Sequence, residues 1–225
     1  MSPTRTTRAA RHDPWRILLV DDHPLVREAL AARIGQQPDL VVCGEADDVA
    51  SGTRSVIELK PDLVTVDLTL KSGSGLDLIR AIRGYRHDTR VLVVSMHADT
   101  ADVERALQVG AEGYVSKAEA PARVVEGIRA LLGSETYLSP QIRERLARAG
   151  AERGAPPPRV ELLTARERDV FRLMGRGLSA REIATSLGIS TKTVSTHRDA
   201  LKRKLAVRTL TELARQAVLW IAARP

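Results

Sequence analysis

Polar side chains that suit phosphoryl chemistry follow four separate apolar runs of the chain. Asp21 and Asp22 follow the first run, Asp67 and Ser95 follow two later ones, and Lys117 comes after the last. Clustered carboxylates repel one another unless a cation lies among them, and hard oxygen ligands suit Mg²⁺. Such a metal would polarise phosphoryl oxygens during transfer to a carboxylate nucleophile, while a lysine and a hydroxyl would hold the remaining oxygens.

Each of these residues also has an ordinary structural interpretation. An aspartate after a strand is commonly the cap of the next helix, and a single lysine is usually a solvated charge. The grouping of three carboxylates, a hydroxyl and an amine at matching strand ends is what favours a functional site.

The elements that must position these side chains alternate between strand and helix. The continuously apolar runs are predicted to be strands: Ile17–Val20, Leu40–Gly44, Leu63–Val66, Val91–Val94 and Tyr114–Ser116. Runs with apolar spacing of three or four are predicted to be helices: Leu25–Ile34, Val49–Leu59, Leu76–Ile82, Val103–Val109 and Ala122–Leu132. Strands without a polar face are buried on both sides, which predicts a doubly wound α/β domain with a five-stranded parallel sheet. Ligands of such sheets bind beyond the carboxyl ends of the strands, where strand order reverses.

Charge divides the chain into an acidic and a basic part. The net charge of +7 is the sum of −4 in residues 15–134, +9 in residues 135–225 and +2 in residues 1–14. Net charges of opposite sign suggest that the two parts bind different partners, and the basic part is the candidate for binding nucleic acid.

Helical patterns alone follow the proline triplet at 156–158, which predicts a stiff, extended linker before an all-α four-helix domain. Three of these helices open with a capping signature: Thr164 with Glu167, Ser179 with Glu182, and Thr209 with Glu212. Ser190 is a candidate cap for the fourth, and Gly177 and Gly188 stand where helices should stop. The predicted parts are therefore a flexible basic tail (1–14), an α/β domain (15–134), a linker (135–159) and a helical domain (160–225).

The expected compartment is the cytoplasm, with no membrane partner. No apolar run is long enough to span a bilayer, and the residues before Pro14 lack the apolar segment of a secretory signal. The one cysteine, Cys43, cannot form an internal disulfide and is interpreted as a small buried hydrophobe.

Over roughly residues 15–133 the sequence resembles the flavodoxin-like receiver domain of bacterial response regulators. The matching segments are 17–23, 62–68, 94–95 and 113–117, and the run from Ala106 to Tyr114 is especially typical. The resemblance implies that Asp67 accepts a phosphoryl group from a sensor histidine kinase. It implies Mg²⁺ bound by Asp22, Asp67 and the backbone carbonyl of Thr69, with Asp21 assisting.

The resemblance also implies that Lys117 and Ser95 contact the phosphoryl group and that Tyr114 rotates inward as a switch. Lys71 stands where the family usually has proline, which is expected to alter loop mobility. Ser95 stands where threonine is also frequent, and neither departure removes a reactive group.

Residues 180–205 read as helix, short turn and helix, with one apolar face on each helix. Patterning alone leaves a solvated surface helix as an equal alternative. The segments 163–168, 177–184 and 189–198 resemble the LuxR-type DNA-binding domain, which places the chain with the NarL/FixJ regulators and makes 191–205 the recognition helix. The expected DNA-contacting residues, which face bases or phosphates, are Lys192, Thr193, Ser195, Thr196, Arg198, Asp199, Lys202 and Arg203. His197 is ambiguous between core packing and DNA contact.

The last helix supports dimerisation in this family. The expected dimer residues are Leu213, Ala217, Trp220 and Ile221. The hypothesis is a transcription regulator in which phosphorylation of Asp67 relieves a monomeric or masked state and promotes a homodimer on double-stranded DNA. RNA polymerase is a further candidate partner.

Two rival interpretations fit less well. The first is a regulator that works without phosphorylation, and the acidic site argues against it because all of its reactive residues are present. An enzyme is disfavoured because Thr69 supplies no second acid for a dehalogenase-type phosphatase, and no glycine-rich turn follows the first strand for a dinucleotide.

Overall fold

The first domain is a parallel sheet covered by helices on both faces. The structure, a computed structural model, describes residues 13–86, 88–152 and 159–222. Its strands are β1 (Trp15–Val20), β2 (Leu40–Ala46), β3 (Leu63–Val66), β4 (Arg90–Ser95), β5 (Gly113–Ser116) and β6 (Tyr137–Leu138). The helices of this part are α1 (Pro24–Gly35), α2 (Val49–Leu59), α3 (Gly75–Tyr85), α4 (Thr100–Gln108) and α5 (Ala120–Leu132). The strand order is β2-β1-β3-β4-β5-β6, and every pairing is parallel.

Two apolar clusters, one on each face of the sheet, hold these helices in place. Leu30 of α1 and Ile128 of α5 pack on one face, while Val56 of α2, Ile79 of α3 and Val103 of α4 pack on the other. The predicted doubly wound α/β class is therefore confirmed. Strand order reverses at β1, which lies between β2 and β3, so the loops after β1 and β3 flank the point where ligands of such sheets bind.

The sheet has a sixth strand that the sequence analysis missed. Tyr137 and Leu138 pair with Gly113 and Tyr114 of β5. A strand of two residues carries no readable alternation, so the sequence predicts only a linker there. Helix α6 (Pro140–Glu152) lies in the same stretch and was not predicted either. The proline triplet at 156–158 and the tail residues 1–12 lie outside the described residues.

The second domain contains the four predicted helices. They are α7 (Ala165–Gly175), α8 (Ala180–Leu187), α9 (Thr191–Lys204) and α10 (Leu210–Ala222), preceded by a 3₁₀ turn at Val160–Leu162. Capping boxes at Thr164 and Ser179 start α7 and α8 as predicted, and the Ser190 side chain accepts a hydrogen bond from the Thr193 amide at the start of α9. The left-handed backbone of Gly188 ends α8.

Helix α6 connects the two domains through apolar contacts. Ile142 and Leu146 of α6 are fully buried and share one cluster with Leu138 of β6 and Val218 of α10. A salt bridge between Arg215 of α10 and Glu104 of α4 adds a polar contact at 3.2 Å. The segment predicted as a spacer therefore joins the domains into one packed unit. Within the described residues, the helices are too short or too polar to cross a membrane.

Candidate functional site

A buried lysine holds two aspartates together at the carboxyl edge of the sheet. Lys117 follows β5, Asp67 follows β3 and Asp21 follows β1, so the parallel strands bring all three to one place. The Lys117 Nζ atom lies 2.6 Å from Asp67 Oδ2 and 2.8 Å from Asp21 Oδ2. The lysine side chain is 6% exposed and each aspartate side chain 3%, so little water screens these charges.

The environment keeps the lysine charged. Burial by itself would lower the pKa of Lys117, but hydrogen bonds and charges from Asp21 and Asp67 outweigh that effect, and the pKa lies above its ordinary value. The second oxygen of Asp67, Oδ1, accepts only a long hydrogen bond, 3.4 Å from the Thr69 amide. The site thus presents a carboxylate with one oxygen anchored by a cation and the other weakly engaged.

An acidic cluster surrounds this triad. One ligand atom from each of Asp21, Asp22, His23 and Asp67 lies within 4.8 Å of the others. The buried Oδ1 atom of Asp22 lies 2.6 Å from the His23 Nδ1 atom. Carboxylate oxygens at this spacing form the donor set that a hard divalent cation takes. His23 is not among the predicted ligands, and its position directly after the two aspartates was the available signal.

Ser95 and Tyr114 lie next to the acidic cluster, on neighbouring strands. Ser95 ends β4, is fully buried, and accepts a hydrogen bond from the His97 amide at 3.3 Å. The Tyr114 hydroxyl donates to the carbonyl of His97, and its burial, aided by the Asp102 carboxylate, raises the pKa of the phenol. The side chain of Tyr114 is fully buried, so it already has the inward position that was expected only after phosphorylation.

The loop after Asp67 carries two further residues of the sequence analysis. Thr69 is exposed and forms an antiparallel bridge with Ser74, which fixes the backbone near its carbonyl. Lys71 points to solvent, with 72% of its side chain exposed, and pairs loosely with Asp47 at 3.6 Å. The unusual lysine therefore takes no part in the buried triad.

A groove of about 1020 Å³ runs beside the site, between α1 and the start of α5. Apolar side chains such as Val26 and Pro121 line it, together with Lys117 and His23. Leu25 and Met96 at its rim are 79% and 71% exposed. The acidic site is thus reached from an open, mainly apolar surface.

Helix α9 presents most of the predicted DNA-contacting residues to solvent. The exposed ones are Lys192, Thr193, Ser195, Thr196, Asp199 and Arg203. Lys202 is partly exposed and pairs with Asp199 at 2.8 Å, and His197 is half-buried. Arg198 differs: only 7% of the residue is exposed, and its guanidinium pairs with Glu135 at 2.6 Å. The first domain thus leaves the exposed face of α9 open while Glu135 pairs with one cation of that helix.

The expected dimer residues lie inside the second domain. Leu213, Ala217 and Trp220 are buried in its own core, where the Trp220 ring lies 5.5 Å from the Phe171 ring, and Ile221 packs against the same cluster. These four side chains face inward because they form the apolar stripe of α10 that closes the four-helix domain. In this conformation Leu213, Ala217 and Trp220 are buried and Ile221 is partly exposed, so the expected dimer contact stays a prediction.

Comparison with known proteins gives the family. The sequence model for the response regulator receiver domain matches residues 17–129, and that for bacterial regulatory proteins of the luxR family matches residues 161–217. The chain is a two-component response regulator of the LuxR-type class. Such proteins are transcriptional regulators, which confirms the prediction of a regulator rather than an enzyme.

Relatives of this response regulator align along most of their length. It is 38% identical to the transcriptional activator protein ExaE of Pseudomonas putida, covering 90% of this chain and 95% of that one. It is 32% identical to the nitrate/nitrite response regulator NarL of Escherichia coli, covering 94% and 97%. A LuxR-family two-component response regulator from Aurantimonas shares 38% identity and a TM-score of 0.59, over 61% of this chain and 98% of that one.

Replacing Lys117 with methionine tests the buried triad of this response regulator. Lys117→Met keeps an unbranched side chain of nearly the same length but leaves two adjacent buried carboxylates without the lysine charge. We expect the free energy of unfolding in metal-free buffer to fall by roughly 3–5 kcal/mol. The matched change Lys71→Met removes an exposed pair and should alter it by no more than about 1 kcal/mol. Equal denaturation midpoints for the two variants would contradict this account of the triad.

Proposed function

We propose that Asp67 accepts a phosphoryl group from a sensor histidine kinase and that this modification controls DNA binding by α9. The observation that carries the proposal is the pair of contacts from Lys117 to Asp67 and Asp21 at the carboxyl edge of the sheet. Of the three carboxylates there, Asp67 combines a cation on one oxygen with a weakly engaged second oxygen, which is free to attack phosphorus.

The acidic cluster is the proposed Mg²⁺ site of the receiver. Asp21, Asp22, Asp67 and the backbone carbonyl of Thr69 would hold the ion, and the closeness of the three carboxylates supports this assignment. When bound, Mg²⁺ supplies positive charge that neutralises the carboxylates and polarises the phosphoryl oxygens.

The transfer step moves a phosphoryl group between two nucleophiles. The N–P bond of the kinase phosphohistidine breaks, the histidine nitrogen keeps the electron pair, and an oxygen of Asp67 forms the new O–P bond. The Lys117 ammonium and the Ser95 hydroxyl then donate hydrogen bonds to the phosphoryl oxygens. Lys117 must leave the Asp67 oxygen to do so, which loosens the triad.

The loop after β4 is the proposed route from Asp67 to the DNA-binding domain. Ser95 and Tyr114 both hydrogen-bond to the backbone of His97, in the loop that leads directly into α4. Helix α4 carries Glu104, the partner of Arg215 on α10. A shift of Ser95 towards a phosphoryl group therefore reaches α10 through a short series of direct contacts.

The output is sequence-specific binding of double-stranded DNA by α9, with a homodimer on two adjacent half-sites. Several short polar side chains lie exposed beside cations on this helix, which suits base edges flanked by phosphates. One copy of a small basic domain binds DNA weakly at physiological salt. In a dimer, the second copy is held near the adjacent half-site at high effective concentration, which raises the affinity. The protein would act in the cytoplasm, where RNA polymerase is a candidate partner.

Phosphorylation of Asp67 is tested with Mg²⁺ and a small phosphodonor. We expect the wild-type chain to gain one phosphoryl group, measured by intact mass, and Asp67→Asn to gain none because the amide is no nucleophile. Asp77→Asn removes an exposed carboxylate from α3 and should leave labelling unchanged. Labelling of the Asp67→Asn variant to the wild-type level would assign the phosphoacceptor elsewhere.

DNA contacts on α9 separate into two kinds by their response to sequence and salt. Thr196→Ala should reduce discrimination between preferred and random duplexes by roughly 1–3 kcal/mol, because Thr196 is proposed to contact a base edge. Lys202→Ala should weaken binding to all duplexes alike and flatten the dependence of affinity on salt. Fluorescence anisotropy titrations of the full chain measure both, and the assignment fails if the two variants respond in the same way.

A further inference from the structure

A carboxylate of the receiver occupies an anion-binding position of the DNA-binding domain. Glu135 lies in the turn between α5 and β6, and its Oε2 atom is 2.6 Å from the Arg198 guanidinium of α9. Its Oε1 atom accepts a hydrogen bond from the backbone amide of Ala180, the first residue of α8, at 3.3 Å. One carboxylate therefore bridges a helix N-terminus and an arginine of the recognition helix.

The donors at this position are those that bind phosphate in many proteins. A helix N-terminus offers unpaired amides and the positive end of the helix dipole, and an arginine adds a charged fork. The Arg198 Nε atom is buried and makes no hydrogen bond, so Glu135 leaves part of the fork unused. Arg181, in the first turn of α8, lines the same interdomain cavity of about 710 Å³ and adds positive charge.

The position also adjoins the DNA-reading face. Arg198 is one helical turn from Ser195 and from Lys202 on α9, at spacings that place side chains next to each other. Ser195 is exposed and Lys202 partly so. Arg198 and the start of α8, which Glu135 bridges, therefore lie at the edge of the exposed face of α9.

The receiver holds Glu135 firmly in place. Ser134 has a left-handed backbone conformation with φ of 64°, its amide donates to the Leu131 carbonyl, and the Glu135 amide donates to the Ala130 carbonyl. The Ser134 hydroxyl also accepts a hydrogen bond from Arg90 at 3.1 Å. The carboxylate is thus presented from a turn whose backbone is fixed to the receiver.

We infer that the Ala180 amide and Arg198 form a binding site for a DNA backbone phosphate, and that Glu135 fills this site in the closed arrangement. A phosphodiester and a carboxylate carry the same single negative charge and both accept hydrogen bonds through oxygen, so they compete for the same donors. This inference rests on the proposed DNA-binding function and assigns a further contact to it. In the closed arrangement the Glu135 carboxylate takes the place of a DNA phosphate and so weakens DNA binding, while the proposed DNA-reading face of α9 stays exposed.

The test measures binding of the unphosphorylated full chain to a random-sequence duplex over a series of salt concentrations. Glu135→Gln should tighten binding about tenfold at low salt, because a charge-assisted contact is released to the phosphate. The slope of log affinity against log salt should steepen by about 0.9, the value for one additional phosphate contact. Adding Arg198→Gln to this variant should reverse both changes.

Glu104→Gln is the matched control, because it removes a different interdomain ion pair, that with Arg215, without freeing Arg198. It should leave the salt slope at the wild-type value. If Glu104→Gln and Glu135→Gln change affinity and slope alike, Glu135 only fastens the domains together and the phosphate site is overturned. The phosphate site is also overturned if the wild-type chain binds the duplex and Glu135→Gln leaves the salt slope unaltered. A chain that never binds DNA would instead overturn the proposed function itself.

A second measurement does not depend on the stability of the double variant. In the Glu135→Gln chain, the amide resonance of Ala180 should shift on addition of the duplex, because that amide donates to the incoming phosphate. The amide of Ala165 at the start of α7 serves as the reference within the same spectrum. An Ala180 resonance that stays in place while those of α9 shift would overturn the assignment.

Discussion

The structure depends on one buried lysine between two buried aspartates. Parallel strands deliver Asp21, Asp67 and Lys117 to the same sheet edge, where none of the three charges is tolerable without the others. This requirement makes Asp67 responsive, because added negative charge on its carboxylate obliges Lys117 to move.

The contacts between the two domains divide into apolar and polar parts with different roles. Burial of side chains such as Ile142, Leu146 and Val218 stabilises the arrangement by about 1.5–3 kcal/mol for each side chain. The partly exposed Glu104–Arg215 pair contributes about 1 kcal/mol at most. The apolar contacts therefore hold the domains together, and the polar pairs are the contacts that a change of charge would alter. Because α9 remains exposed, control by orientation fits this structure better than masking of the whole recognition helix.

The sequence predicted the α/β class, the helical second domain and most element boundaries, because buried parallel strands and capped amphipathic helices leave strong local patterns. It did not predict β6 or α6, since two residues are too few for a pattern and the nearby prolines favoured a linker. Arg198 and the apolar face of α10 show a different limit of prediction from sequence. Helical spacing identifies the faces of α9 and α10 but not which face a distant carboxylate or the domain core will cover. Glu135 lies 63 residues from its partner Arg198, and no local signal joins them.

The central claim is that the state of Asp67 changes how the second domain meets DNA. The most direct measurement is sedimentation and duplex binding of the full chain, with and without a stable phosphoryl mimic in the presence of Mg²⁺. This account predicts a larger sedimenting species and tighter DNA binding when the mimic occupies Asp67. Unchanged mass and unchanged affinity with the mimic bound would contradict it and favour a regulator that works without phosphorylation.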